Sequence, residues 1–555
     1  MITQITYSNV LAIGIFLVAV RAFHVFVVLP VLYTRKARSL GCEPAPTEPT
    51  KWPLGLDMVV RGLRASREQR VMDFVLERFD TMGRYTWYMK LLGSSNLLTA
   101  DPANIQALLA TQFEHFKTGA PKVMSLKQMI GRSIFIADGE AWHNARVLMR
   151  PLFSRENVSD LTVFEDHFQI LLKCLLQPGT EVDETGRKWT KGASLASFFP
   201  CFTIDCATEI FVGRSVDSLK TRLEEVIRES SSIHQGGEIK EVDTIPKKDF
   251  AWAFNRSLQI ANVRLRLRSL SSCYGRTELK ECKLVLYKFI NDAIHAADLA
   301  KDQGQVRVKY DFINTLRQNC PDHTEVPEQI AGLLAAGRDS TASLMGFVFY
   351  HMIRNPMVFE KLLRIVRETF GPADDDAPKR ITFETLRSCK YLQNVMNEAL
   401  RMNSVVPFNS KCAVRDTMLP TGGGADGTKP IYIRKGTEIA YSTYVLHRRK
   451  DLWGEDADDF RPERWEEKRP ANWHFQPFSG GPRICIGQQF ALTEVGYVIV
   501  RLLQSFDGIE GLDYDGTKRD WLRFSIIVTP GTPNPKEKAV PCKLRLAPEI
   551  MKKLQ

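Results

Sequence analysis

The chain has no CxxC pair and no dense disulfide pattern, although it carries eleven cysteines: Cys42, Cys174, Cys201, Cys206, Cys273, Cys282, Cys320, Cys389, Cys412, Cys485 and Cys542. Scattered thiols in a chain this long fit a reducing compartment better than an exported, disulfide-stapled scaffold. There is no internal repeat, which argues against a solenoid or propeller. Nor is there a basic stripe interleaved with aromatics. The 75 Lys and Arg are scattered among 64 Asp and Glu, so nucleic acid is not the expected partner despite a net charge of +11. An anionic membrane surface or an acidic protein suits that excess, and composition alone does not choose between them. The 44% apolar and 25% charged fractions exclude a fibrous or mainly disordered chain. A length of 555 residues accommodates one large core or two domains.

Residues Val10 to Tyr33, VLAIGIFLVAVRAFHVFVVLPVLY, form an apolar run long enough to cross a bilayer as a helix. Arg21 and His24 are costly at full depth, so a tilted or interfacial placement stays open. Arg35, Lys36 and Arg38 follow, and the positive-inside rule puts them and the remainder of the chain on the cytosolic face. With neither a basic start nor a small-residue cleavage site, the run reads as a retained anchor. The tract GCEPAPTEPTKWPLG then reads as a stiff spacer. The expected organisation is an anchor over 1–33, a basic and proline-rich hinge over 34–60, and a catalytic body over 61–555.

Within the body, residues 61–150 have mostly helical spacing, in VMDFVLERF and ANIQALLA. Further helices are predicted over Val163 to Leu176, Phe202 to Val212, Arg276 to Ala300, Pro327 to His351 and Thr385 to Met402. The fourth begins with a proline and a glutamate in its first turn, as a helix N-terminus favours. Strand-like material is limited to IYIRK, EIAYSTYV and SIIVTP. The predicted fold class is mainly α with a smaller β component.

The sharpest chemical signal is FQPFSGGPRICIGQQFALTEVGYVIVRLL. Gly480, Gly481 and Gly487 permit tight turns, and Arg483 can neutralise an anion near Cys485. The helical run after Gln489 would place amide hydrogens near that cysteine, where they stabilise a thiolate. Phe478, Gly481, Arg483, Cys485 and Gly487 match the FxxGxRxCxG signature, and Ala491 the alanine that often follows, so the chain resembles the cytochrome P-450 superfamily. The resemblance implies that fold, a heme b cofactor, and Cys485 as the axial iron ligand, whose thiolate favours cleavage of the dioxygen bond. Phe478 would pack near the sulfur and Arg483 would pair with a heme propionate.

Other elements take on roles only through this resemblance. Glu398 and Arg401 in NEALRM share a helix face; by default such a pair is a surface ion pair. Here they resemble the ExxR element, with Arg464 of FRPERW completing a buried structural triad that supports the heme loop. Trp142 and Arg146, at i and i+4 in GEAWHNARVLMRP, are otherwise a packed ring beside a solvent-facing arginine. They resemble the WxxxR element that contacts heme propionates. Lys411 stands where an arginine is common, keeping the charge without the planar fork, with Arg415 as a possible substitute. AAGRDST resembles the AGxDT element: Gly337 at the closest approach to heme, Asp339, Ser340 and Thr341 serving proton delivery to bound dioxygen.

The long matching stretches, with the GGG at Gly422 to Gly424 and the LTE after Ala491, resemble the fungal membrane-bound group that hydroxylates n-alkanes and fatty acids. That implies terminal or near-terminal hydroxylation of long chains, electrons from NADPH through the cytochrome P-450 reductase, an endoplasmic-reticulum membrane location and a lipophilic substrate. Phe408 and Ser410, in VVPFNSKC, depart from the usual pattern where the substrate pocket is lined, and Phe135 is a further wall residue. Three other readings stay open: oxidation of a fungal secondary metabolite, a reductase-independent heme-thiolate isomerase or dehydratase, and a non-catalytic heme-binding protein.

Overall fold

A computed structural model describes residues 7–91, 94–233, 249–302, 311–320, 322–467, 469–512, 520–532 and 539–554. The chain divides into two compact units. The first takes residues up to Val59, Arg78–Lys117 and Ser410–Tyr441; the second takes Val60–Glu77, Thr118–Asn409 and the chain from Ser442 onward.

The first unit begins with helices α1 (Tyr7–Phe23) and α2 (Leu29–Ser39), joined without a break by one π turn at His24–Val28. Pro30 accounts for that turn. It cannot donate to the carbonyl four residues back, and its ring crowds that carbonyl, so the helix widens just before it. Many apolar side chains here are exposed, including Phe16 at 66% and Val18 at 70%. The end of α2 is tied down: the Lys36 ammonium pairs with Asp416 at 2.8 Å, and the Tyr33 and Tyr432 rings lie 6.3 Å apart. The expected anchor–hinge boundary at residue 33 therefore falls inside a continuous helix. The proline-rich tract is also engaged, since the Glu43 N–H donates to the Pro430 carbonyl and the Glu48 N–H to that of Tyr88.

This unit carries a five-stranded sheet built from β1 (Thr86–Leu91), β2 (Ser94–Thr99), β3 (Phe116–Thr118) and β4 (Phe408–Ala413), with β5 (Thr417–Gly423) and β6 (Lys429–Ile433) forming a separate antiparallel hairpin and β7 (Glu438–Ser442) closing the set. The sheet order is β1-β2-β7-β4-β3, with β1 antiparallel and β7 parallel to β2. The mostly helical reading of 61–150 holds, with β1 and β2 as strands that it did not single out. The TWYMKL run is rich in residues that favour a pleated surface, and Trp87 is wholly buried.

The second unit is helical. Its framework includes α3 (Gly139–Met149), α4 (Leu195–Val212), α5 (Phe250–Leu267), α6 (Val326–Arg354), α7 (Lys390–Met402) and α8 (Gln488–Ser505). α4 is long and apolar enough to cross a membrane, but 67% of it is buried inside the protein, so it is a core helix. It starts before the predicted Phe202 and packs on α6, where Thr203 Oγ1 donates to the Arg338 carbonyl at 2.9 Å. The single helix predicted over Thr385 to Met402 is two, Phe383–Ser388 and α7, because Cys389 at ψ 87° leaves the helical region. EIAYSTYV is a strand only as far as Ser442, whose hydroxyl accepts the Val445 N–H and starts a helical turn. A short hairpin of β8 (Leu522–Phe524) and β9 (Val528–Pro530) covers only the end of SIIVTP.

Candidate functional site

The loop before α8 is folded by its own glycines. A side chain at Gly480 would lie 2.6 Å from the Trp473 ring, and Gly481 has φ 66°. The Cys485 N–H donates to the Phe478 carbonyl at 2.9 Å, closing the loop, and Gly487 caps the start of α8. The Cys485 side chain is exposed, although many protein atoms lie near it. Desolvation raises its thiol pKa, opposed by the Gly487 N–H and the Arg146 charge. A metal ion at the sulfur would reverse that balance, because coordination requires the thiolate.

Cations gather beside this loop. Arg146 on α3 donates to the Ile484 carbonyl at 2.9 Å, one residue before the cysteine. Arg483 donates to the Ala137 carbonyl at 2.6 Å and to Asp138 at 2.7 Å, with its guanidinium 4.7 Å from the centre of the Trp142 ring. Trp142 thus serves as a shelf for Arg483, and Arg146 braces the loop. Lys122, on the helix Ala120–Ile130, is a cation the motifs did not flag. Its ammonium makes no hydrogen bond or ion pair among the described residues, and desolvation, with the Arg483 charge next and Asp138 opposing, pushes its pKa down to about 8. Lys122 and Arg483 face Asp138 and Arg146 stands beside Cys485, so among the described residues positive charge is in excess next to one sulfur ligand. Among the described residues no three His, Cys, Asp or Glu side chains converge as a metal cage. A metal at Cys485 would therefore need its other ligands from an organic cofactor, and the cationic excess suits one that carries carboxylates. Heme meets both conditions.

The predicted triad is assembled and buried. Arg401 makes a two-pronged pair with Glu398 at 2.8 and 2.9 Å, and Arg464 reaches the same carboxylate at 3.3 Å. The Trp465 indole and the Arg461 N–H also donate to Glu398, both at 3.0 Å, while Arg401 satisfies the carbonyls of His447 and Ala457. His447, fully buried, was missed by sequence reasoning; its bonds run to Ser404 and to the Gln476 backbone, two residues before Phe478. Only the preceding strand and the pair of arginines after it marked LHRR as unusual.

On α6, Ser340 Oγ donates to the Ala336 carbonyl at 2.6 Å and Thr341 Oγ1 to that of Gly337 at 2.7 Å. Asp339 lies 3.5 Å from Arg338, with its side chain 34% exposed. A Cβ at Gly337 would meet Phe211 and Ala207 of α4 at 3.8 and 3.9 Å, so the α carbon faces that helix. Phe135 sits against α6 at Gly332, where a Cβ would lie 3.3 Å from its ring. The Phe408 ring meets the Phe524 ring edge-on at 5.9 Å. β9 is tied to α6 by Ser343 Oγ donating to the Val528 carbonyl at 2.6 Å. Lys411 belongs to the first unit, buried, with its ammonium 6.0 Å from the Phe113 ring centre; Arg415 is exposed there.

An open thiol at a helix start, cations beside it and a buried carboxylate–arginine network behind it define a heme-thiolate class of site. The cytochrome P450 family model matches residues 46–511. Cytochrome P450 monooxygenase alt2 of Alternaria solani is 52% identical over 98% of this chain and 100% of its own. Cytochrome P450 52A13 of Debaryomyces hansenii is 37% identical over 82% of this chain and 84% of its own, and cytochrome P450 52A3-B of Candida maltosa is 36% identical over 85% and 87%. The chain belongs to the cytochrome P450 family, as a monooxygenase related to the fungal 52 series.

Proposed function

We propose that this monooxygenase hydroxylates long aliphatic chains, n-alkanes or fatty acids, at or near the terminal carbon, with heme b held by Cys485. The observation that carries the reading is the apolar wall formed by Phe408 of β4 and Phe524 of the β8–β9 hairpin, which is tied directly to α6. Its substrate class agrees with the kinship to the fungal 52 series. Bound at this site, heme supplies dioxygen activation with two electrons from NADPH.

The chain's own residues bind, orient and move protons. Arg483 and Lys122 would hold the propionates, and Arg146 braces the cysteine loop. Asp339 is open enough to exchange protons with water, and the Ser340 and Thr341 hydroxyls can relay them by rotating away from their backbone acceptors. Phe135 and Phe408 exclude water from an apolar chain. The excess positive charge suits an acidic reductase. The apolar α1 segment, followed by Arg35, Lys36 and Arg38, acts as an anchor in the endoplasmic-reticulum membrane with the remainder cytosolic.

A second reading, oxidation of a fungal secondary metabolite, draws on Phe408 and Ser410, which depart from the usual pattern where the substrate pocket is lined. The test is reconstitution with reductase and NADPH on dodecane, hexadecane, lauric acid and oleic acid, with products identified by mass spectrometry. Terminal alcohols or diacids support the first reading. Peroxide without products, from protein whose carbon monoxide spectrum is that of a thiolate-ligated heme, overturns it in favour of the second.

A further inference from the structure

We propose that Arg266, at the end of α5, receives the carboxylate of a long-chain fatty acid, so that acids are preferred over n-alkanes. This rests on the aliphatic reading above and narrows it.

Three segments remote in sequence meet at this guanidinium. Nη1 donates to Ser66 Oγ of the helix Leu56–Arg67 at 3.0 Å, and Nη2 donates to the Phe524 carbonyl on β8 at 3.4 Å. Both acceptors are neutral. Nearby arginines differ: Arg64 pairs with Glu68 at 2.9 Å and Arg256 with Glu278 at 2.6 Å. Desolvation lowers the Arg266 pKa, and among the described residues no carboxylate pairs with it. Among those residues the side chain is thus oriented but not neutralised, and three of its five N–H donors remain for an incoming anion.

The contact on Phe524 gives the site its direction. The residue whose carbonyl binds Arg266 turns its ring onto Phe408, and the same hairpin is bonded through Val528 to Ser343, three positions beyond Ser340. Charge at one end and aromatic surface leading toward the oxygen-activating helix match an amphiphile whose far end is oxidised. A hydrocarbon offers the guanidinium nothing. The alternative role, closing the C-terminus of α5 against the helix dipole, would serve every substrate equally.

The test compares wild-type holoenzyme with Arg266→Gln and Arg266→Lys, reconstituted with reductase in vesicles. Palmitate, methyl palmitate and hexadecane are each titrated by the substrate-induced change in the heme spectrum and by turnover. Arg266→Gln should raise Kd and KM for palmitate by about three- to twentyfold with kcat unchanged. The ester and the alkane should be unaffected, and Arg266→Lys should recover part of the loss. An unchanged palmitate KM, or an equal rise for all three ligands, overturns the proposal. Wild-type turnover of hexadecane but not palmitate overturns it while leaving the aliphatic reading intact; turnover of none of the three overturns both.

Discussion

His447 accepts the backbone N–H of Gln476 through Nε2 at 2.8 Å, while its Nδ1 bonds to Ser404 Oγ at 2.8 Å. The first bond requires an unprotonated Nε2, so the ring is neutral with its proton on Nδ1. One imidazole thereby couples the carbonyl that Arg401 holds to the loop that presents Cys485.

Acid should loosen that coupling early. Burial, reinforced by the Arg401 charge, pushes the His447 pKa from 6.5 down to about 3, and burial takes His351 to about 4. Above pH 6.5 both rings are neutral whether folded or not and contribute no pH dependence. As pH falls below 6.5, only the unfolded chain takes up the protons, so stability is lost progressively toward pH 4 at up to about 1.4 kcal/mol per unit for each ring. Denaturation midpoints measured from pH 7.5 to 4 should show this limb. A decline beginning only near pH 4 would mean that carboxylates alone set it.

Glu398→Gln should be among the most damaging single substitutions outside the cofactor site. It leaves the wholly buried Arg401 and the buried Arg464 without their shared counter-charge, a loss of about 3–5 kcal/mol. The expected result is a large fall in melting temperature and in the yield of protein with a thiolate-type carbon monoxide spectrum. Near-normal yield would show that the carbonyl and indole partners suffice.

Heme retention should depend on pH through Lys122. Its pKa of about 8 lies below the usual 10.5. A propionate would restore the charge, so heme binding takes up a proton at Lys122 above pH 8, while coordination releases one from the raised thiol of Cys485. Affinity should therefore rise with pH up to about pH 8, by at most about tenfold per unit, and level off above it, where uptake and release cancel. Heme transfer to a scavenger protein measures this. Lys122→Met should weaken binding at neutral pH and let the rise continue above pH 8.

Ser340→Thr should lower the peroxide released per NADPH. Threonine keeps the hydroxyl that bonds to Ala336 and adds a methyl that restricts its rotamer, giving tighter control of proton delivery. Equal peroxide yields from the two proteins would overturn this.

What the sequence made legible was local. The Cys485 loop announces itself because its turns demand glycines at fixed spacing, and Glu398 with Arg401 because one helix turn brings them together. Lys122 and His447 depend on partners far along the chain, so no spacing betrays them. The pair β1 and β2 escaped because six-residue strands bounded by helical patterns leave little periodicity. The proline tract read as a stiff spacer, and its main-chain partners, Pro430 and Tyr88, left no local signal because they lie elsewhere in the sequence.

The clasp at the end of α2 sets more than a contact. Asp416 is held down to a pKa of about 2, chiefly by Lys36 and Tyr432, and also accepts the Lys435 N–H. Arg434 stacks on Tyr33 at 4.8 Å. The helical stretch ending at Ser39 is longer than the ~20 residues that span a bilayer core. If the apolar α1 segment is the membrane anchor proposed above, about a dozen residues, or roughly 20 Å of helix, stand clear of the hydrocarbon. With its end locked to the β5–β6 hairpin, that stretch would then behave as a mast and not as a mooring line, fixing the height and heading of the hairpin above the lipid.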